Sequence, residues 1–287
     1  MVDIIHGATG AQGSPVLSAL TTAGRTAIAA VRHPEAVPDG IAARQVDLAS
    51  ADSLASAYEG ADGVFVHLPM GAPETAAAQA RAVVEAVTRA RPGRVVISTS
   101  GQIVDRPDSP LQATAGSPIM TLIDGVTGSG IPTAVVAPRL YLENLLLPVV
   151  LAPAHQEGVL RYPLPASFPV SWRSHLDVAD VVARLLMDTS VSGTVAVGHR
   201  PGLTGVDLAA AFSNHLGREV HFEAITPEAF GGLITPLFGP AAAPVVELYR
   251  ALNAQDGCII AEDSSAQELL GLRPRPIEQW LKDLAVS

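Results

Sequence analysis

The sequence predicts an α/β fold: a doubly wound parallel sheet of the Rossmann type with a smaller C-terminal α+β lobe. Three observations carry this. Short apolar runs alternate with segments of helical spacing through the first half of the 287 residues. These runs are apolar throughout rather than alternating, as strands buried on both faces must be. The first run opens directly into a glycine-rich loop and then a helix, the order of the first βα unit in such sheets.

The elements follow in order. Val2–His6 is the first strand, Ser14–Ala23 the first helix and Thr26–Val31 the second strand. Ile41–Val46 is the third strand, and Ser50 is placed to cap a helix over Ala51–Tyr58. Gly63–His67 is a strand, Pro73–Arg89 an Ala-rich helix, Arg94–Ser98 a strand, Ile119–Thr127 a helix and Pro132–Ala137 a strand. Strands joined by helices imply right-handed crossovers and parallel neighbours. Beyond residue 140 the rhythm changes. Glu143–Leu151 reads as a helix interrupted by Pro148, His155–Ser174 as a proline-rich loop, Leu176–Met187 as an amphipathic helix and Gly193–Val197 as a returning strand. A helix over Gly205–Leu216, a strand over Glu219–Ala224 and helices near Pro227–Leu237, Ala241–Ala254, Ser265–Leu270 and Pro276–Ala285 complete the chain. Thr226-Pro227 and Ser265 with Glu268 carry helix-start signals. The expected organisation is a core of residues 1–140 with 175–200 returning to it, a smaller lobe of 141–174 and 201–287, and a cleft between them.

Composition excludes several classes. The chain is 48% hydrophobic but only 4% aromatic, so Ala, Val, Leu and Ile must build the core. A net charge of −10 with no Lys/Arg-rich run disfavours direct nucleic-acid binding. One cysteine, Cys258, precludes an intrachain disulfide and suits a reducing compartment. Met1-Val2-Asp3 enters the first strand without a basic region, so a cytoplasmic location is expected. The greasiest stretch is read as Leu145–Ala154, about half of the ~20 residues a spanning helix needs, so no membrane segment is expected. No histidine or cysteine pairing has metal-ligand spacing, and no G-x-S-x-G elbow occurs. Seventeen of 18 basic residues are Arg; the single lysine is Lys282. Chemistry needing a mid-chain lysine is therefore excluded.

The loop reads Gly7-Ala8-Thr9-Gly10-Ala11-Gln12-Gly13. Gly7 permits the sharp exit from the strand, Gly10 lets a pyrophosphate approach the backbone, and Gly13 lets the helix pack close. A tight turn that binds nothing has the same glycines, but the strand–loop–helix–strand context favours a dinucleotide. At the end of the second strand stands Arg32, where a reader of a ribose 2′-hydroxyl would be acidic. Its guanidinium suits a 2′-phosphate and favours NADP(H), with NAD(H) the alternative because Glu35 is near. Asp47, with Leu48 beside it, is placed either to accept from an adenine amino group or simply to cap the next helix.

With these residues placed, the chain resembles the NmrA-like atypical short-chain dehydrogenase/reductases. Gly7–Gly13 is similar to their G-A-T-G-x-x-G loop, and Val31-Arg32-His33-Pro34 to their V-R-x-P. Ser129–Thr133 followed by Pro138–Asn144 resembles their S-G-x-x-T and R-P-x-x-F-x-E-N, with Ala137-Pro138 in place of Arg-Pro and Tyr141 in place of Phe. Leu176–Val182 is similar to their D-x-x-D-x-A segment, and residues 205–230 to their helix–strand–helix lobe. The resemblance implies that Thr9, Gln12 and Gly13 line the pyrophosphate. His67, Leu68 and Pro69 would pass the central riboses, Ser98, Thr99 and Ser100 would lie beside the nicotinamide, and Tyr141 and Asn144 would face the cleft. Many relatives carry a lysine before the sixth strand. Here Ser117-Pro118-Ile119-Met120 stands there, and no Tyr-x-x-x-Lys pair exists.

An ordinary ketone needs a proton donor at its developing alkoxide. A quinone is more electrophilic and leaves a phenolate-like anion of modest basicity. The expected function is therefore NAD(P)H-dependent hydride transfer to a quinone-like or polycyclic aromatic small molecule, as a tailoring step in secondary metabolism. Two alternatives stay open: a non-catalytic NADP(H) sensor and an oxygen-dependent hydroxylase. Candidate donors are Tyr141, Ser100 and His67, each with a purely structural alternative. Phe168 and Trp172 would stack on a flat substrate or pack the lobe. A small-molecule substrate and a monomer or homodimer are expected.

Overall fold

The computed structural model describes residues 1–286. In chain order its elements are β1 (Val2–His6), α1 (Gly13–Thr22), β2 (Thr26–Val31), β3 (Ala43–Gln45), α2 (Ala51–Tyr58), β4 (Gly63–His67), α3 (Pro73–Ala90), β5 (Val95–Ser98), α4 (Pro118–Gly128) and β6 (Thr133–Pro138). After a 3-10 turn over Leu142–Leu146 come α5 (Pro148–Gln156), β7 (Val159–Tyr162), α6 (His175–Met187) and β8 (Gly193–Val197). The rest is α7 (Gly205–Leu216), β9 (His221–Ala224), α8 (Pro227–Phe238), α9 (Ala242–Asn253), α10 (Ala266–Leu270) and α11 (Ile277–Asp283).

The chain divides into two compact units. The first comprises Met1–Pro138, His175–Val197 and Asp263–Leu272; the second comprises Arg139–Ser174, Gly198–Glu262 and the residues from Arg273 onward.

In the first unit seven strands form one sheet in the order β3-β2-β1-β4-β5-β6-β8, and every neighbouring pair is parallel. The order reverses between β1 and β4, and in such sheets ligands bind outside the carboxyl ends of the strands at that point. On one face Ile4, Val64, Val66 and Ile97 pack against Leu54 and Tyr58 of α2, Val83 and Val87 of α3, and Ile119 and Leu122 of α4. The period-2 alternation turns Ile5, Phe65 and Val96 to the other face, where α1 and α6 pack. Helix α2 begins where Ser50 accepts a hydrogen bond from the Ser53 amide, as the sequence predicts. Asp3, fully buried in β1, receives Nε and Nη2 of Arg25, each at 2.7 Å. Gly63 on β4 leaves the space its carboxylate occupies.

The second unit holds a two-stranded parallel sheet, β7 with β9, in the register Val159↔His221 to Tyr162↔Ala224. Its core is aromatic. Tyr162 meets Trp172, Phe230 and Tyr249 with ring centroids 5.5–5.6 Å apart, mostly edge to face. Helix α7 opens on a capping box formed by Thr204 and Asp207 and packs against α11.

Three expectations are corrected. Pro148 does not interrupt a helix over Glu143–Leu151: it starts α5 at the first helical position, where its missing N–H is harmless, and a 3-10 turn precedes it. The segment His155–Ser174 is not all loop, because β7 lies within it. The third strand covers only Ala43–Gln45, not Ile41–Val46. The helical run Pro227–Asn253 is apolar enough by length and composition to cross a membrane, with a mean hydropathy of 1.5 and only 22% of that window buried.

Candidate functional site

The carboxyl ends of β1, β4 and β5 carry the candidate cofactor residues of the first unit. The chain leaves β1 at His6 and turns at Gly7, whose φ of +60° falls in the left-handed region. The turn is closed by the Gly10 amide donating to Gly7 O at 2.8 Å and the Ser14 amide donating to Gly10 O at 3.0 Å. The amides of Ala11 and Gln12 make no backbone hydrogen bond among the described residues, and α1 starts at Gly13 with no side-chain cap. Thr9 and Gly10 are exposed. A Cβ on Gly13 would lie 2.3 Å from Gly7 O and 2.5 Å from His6 O, so only glycine fits there.

Two histidines flank this loop. A Cβ on Gly7 would lie 2.5 Å from Nε2 of His67, so the imidazole fills the space the glycine leaves. Both ring nitrogens of His67 are buried and make no hydrogen bond within 3.5 Å. Burial lowers its pKa, and the Leu68 backbone offsets a part of this. His6 is fully buried; its Nε2 meets the Tyr58 hydroxyl at 2.7 Å, and Nδ1 has no partner. Burial, then the neighbouring His67, pushes the His6 pKa down to about 3. Both rings are thus neutral at physiological pH. The unfolded chain binds a proton at His6 below about pH 6.5, and the native state refuses it until about 3. Stability is therefore full above pH 6.5 and falls as pH drops through that window. Urea denaturation at pH 5 against pH 7 should show a loss on the order of 2 kcal/mol from this group. His6→Gln, which retains a hydrogen-bonding amide, should flatten that dependence; an unchanged slope would contradict the burial argument.

At the end of β5, Gln12 reaches across to two serines. The Ser98 hydroxyl donates to Gln12 Oε1 at 2.9 Å, and Gln12 Nε2 donates to Ser100 Oγ at 3.0 Å. Ser98 has spent its proton, whereas the Ser100 proton is left for another acceptor. Ser100 has a φ of +55°, and its amide donates to Ser98 Oγ at 3.2 Å. Thr99 is fully buried, and its Oγ1 has no partner. Leu68 is buried and Pro69 exposed.

Arg32 is exposed at the end of β2 and makes no ion pair among the described residues; only its carbonyl is engaged, by Gln45 Nε2. Glu35 is turned to the His33 ring at 3.0 Å. The Asp47 carboxylate accepts from the Ala49 amide at 2.9 Å and its own amide donates to Ser53 Oγ, with Leu48 half-buried beside it. Asp47 thus closes a turn before α2.

The remaining candidates lie in the second unit. Tyr141 is bridged to Arg173, with the Leu142 amide donating to Arg173 O at 2.9 Å, and the buried Arg173 guanidinium carbon stands 2.9 Å from the centroid of the Tyr141 ring. The hydroxyls of Tyr162 and Tyr249 bond to each other, and the Asn144 side chain acts to lower the pKa of both. Burial raises both phenols, Tyr162 to about 12. Trp172 and Phe168 are only 1% and 5% exposed, and Trp172 sits edge-on to Tyr162. Both rings are buried side chains of the second unit. His6, Tyr58, Arg173, Tyr162 and Tyr249 were not legible as site neighbours. Only His6, adjoining Gly7, had any signal in the sequence.

At the position where many relatives carry lysine, α4 begins at Pro118, and Ile119 is fully buried in the core of the first unit. Among the described residues no group of three or more His, Cys, Asp or Glu could hold a metal ion.

The model of the NmrA-like family matches residues 3–281. The chain belongs to that family. Among curated proteins, this NmrA-like chain is 29% identical over 282 residues to the (4-alkanoyl-5-oxo-2,5-dihydrofuran-3-yl)methyl phosphate reductase of Streptomyces griseus, covering 96% of the chain and 95% of the relative. It is 30% identical over 230 residues to the NAD(P)H azoreductase of Xenophilus azovorans, covering 78% and 77%. Its fold matches that of an NADPH-dependent quinone oxidoreductase from Escherichia coli complexed with NADPH, with a TM-score of 0.78, 20% identity and coverage of 99% and 100%.

Proposed function

We propose that the chain is an NADPH-dependent reductase of conjugated, electron-poor small molecules, quinone-like compounds among them. The observation that carries this is the cradle at β1, β4 and β5. Glycine is the only residue that fits at position 13, loop amides stand unused, and buried polar atoms of His67 and Thr99 make no hydrogen bond within 3.5 Å. Unsatisfied buried polar atoms are costly, so a cradle that keeps several is built for a polar ligand. A dinucleotide fits it. The loop backbone would hold the pyrophosphate, Arg32 the 2′-phosphate, and His67, Ser98 and Thr99 the ribose and nicotinamide end. When bound, that cofactor supplies hydride.

The names of the relatives support the acceptor class. An azo bond, a quinone and a C=C bond flanked by lactone and acyl carbonyls share one property. Each takes hydride into a conjugated system and leaves a delocalised anion, which needs one proton from a weak acid to complete the two-electron reduction. That suits a chain without a mid-chain lysine. Ser100, whose proton is uncommitted, is the residue of the first unit to supply it. Orientation and exclusion of water carry the rate. Anaerobic turnover separates this reading from an oxygen-dependent hydroxylase, and any turnover separates it from a sensor. NADPH oxidation should proceed with a quinone, an azo dye and an acyl butenolide and stay at the uncatalysed rate with cyclohexanone. Background rates with all the conjugated acceptors would overturn the reading.

A further inference from the structure

Gln12 divides its backbone and its side chain between two ends of the cradle. Its backbone amide makes no backbone hydrogen bond and stays with the phosphate loop. Its side chain is engaged elsewhere. It stands at the N-cap position of α1 but caps nothing. Instead it closes a ring with the end of β5. The Ser98 hydroxyl donates to Gln12 Oε1 at 2.9 Å, Gln12 Nε2 donates to Ser100 Oγ at 3.0 Å, and the Ser100 amide donates to Ser98 Oγ at 3.2 Å.

The direction of the ring follows from Ser98. That residue is fully buried, and its hydroxyl has no second acceptor among the described residues, so its single proton goes to Gln12 Oε1. An oxygen turned to Ser98 leaves the NH2 turned to Ser100. Ser100 Oγ therefore accepts within the ring, and its own proton is left outside it. The ring also holds Ser100 at a φ of +55°. A non-glycine residue keeps such a backbone only where its surroundings fix it. Of the other two described residues of this kind, Arg91 caps the end of α3 and Ala285 follows α11, whereas Ser100 ends no helix.

We propose that Gln12 is a positioning residue for proton delivery: its side-chain amide holds Ser100 Oγ as an acceptor and so keeps the Ser100 proton free for the reduced substrate. This rests on the reading of Ser100 as donor given above. The anion left by reduction takes the Ser100 proton at its heteroatom, and water returns a proton to Ser100 Oγ, so the side chain ends as it began. A serine is too weak an acid to serve without such direction, and the chain has no mid-chain lysine to take its place.

Rates at saturating NADPH, with a series of quinones whose hydroquinones differ in acidity, test this. Ser100→Ala should lower kcat about 100-fold for the least acidic hydroquinone and less for the more acidic ones, as Brønsted behaviour requires. Gln12→Met, similar in length but unable to donate a hydrogen bond, should lose at least about 10-fold with the same trend. Its NADPH affinity should stay within about twofold of wild type, and the double variant should be no slower than Ser100→Ala. Gln12→Glu is the second variant. Its carboxylate accepts from both serines and so keeps α1 tied to β5, but it takes up the Ser100 proton, and kcat should be no higher than in Gln12→Met. Wild-type kcat in Gln12→Glu would make the side chain a structural tie. Weaker NADPH binding with unchanged kcat in Gln12→Met would return it to the pyrophosphate. A loss equal for every quinone, or one that adds to that of Ser100→Ala, would also overturn the inference. All of these leave the reductase reading standing; only a wild type that turns over no quinone would remove that reading, and the inference with it.

Discussion

Gly13→Ala should abolish dinucleotide binding and weaken the fold. The added methyl would sit 2.3 Å from Gly7 O, 2.4 Å from Gly7 C and 2.5 Å from His6 O. All three are backbone atoms of β1 and its exit turn. No rotamer change relieves the clash, so α1 must move away from β1 or the turn must open. Overpacking of this kind costs about 1–3 kcal/mol. Either movement breaks the bond from the Gly10 amide to Gly7 O and scatters the free amides at the helix start. NADPH affinity, read by fluorescence titration, should fall at least about 100-fold, or ~2.7 kcal/mol. Gly10→Ala separates the two effects. Its methyl would meet only Gly7 O at 3.3 Å, so the melting temperature should stay near wild type. Affinity should still fall steeply, because the methyl would occupy the pyrophosphate path. Wild-type affinity in both variants would mean that the loop is a turn and nothing more.

Arg32→Ala should cost NADPH affinity and spare NADH. The guanidinium is exposed at the carboxyl end of β2, free of any carboxylate among the described residues, while Glu35 is occupied by His33. No internal ion pair has to break before Arg32 meets a phosphate. Charge-assisted hydrogen bonds of this type contribute about 1.5–3 kcal/mol, so the NADPH dissociation constant should rise ~10- to 150-fold. The NADH constant should stay within about twofold, since it lacks the 2′-phosphate that Arg32 would bind. A parallel loss for both cofactors would assign Arg32 to the pyrophosphate or to stability. No loss for either would leave it a solvated surface charge.

The parts of the fold legible in the sequence are those fixed by local chemistry. Apolar runs of four to six residues became the strands of the first unit, the three-residue edge strand β3 excepted, because its sheet is covered on both faces. The loop glycines were legible because each answers to a backbone need visible within seven residues. Helix starts at Ser50, Thr226 and Ser265 were legible for the same reason. Strand β7 was not. It is four residues long, sits among prolines and finds its partner β9 about sixty residues later, so nothing local specifies it. The site divides likewise. That Gln12 would span to Ser98 and Ser100, 86 and 88 residues away, depends on a sheet order no local pattern encodes. The Arg173–Tyr141 stack joins two segments that meet only after folding. Phe168 and Trp172 left two readings open, a stacking platform or lobe packing, because the partners that bury them, Tyr162 against Trp172 among them, are not their neighbours in sequence.

The account stands on direct hydride transfer to a conjugated acceptor. The most direct measurement is an anaerobic single turnover with NADPH carrying deuterium on one face of its nicotinamide C4 and an acyl butenolide as acceptor. The product is examined by mass spectrometry and NMR. One label position should deliver one non-exchangeable deuterium to the β-carbon of the former double bond, and the opposite label none. Tight NADPH binding with no deuterium in the product from either label, and no turnover of quinone or azo dye, would contradict the account and make the protein a dinucleotide sensor.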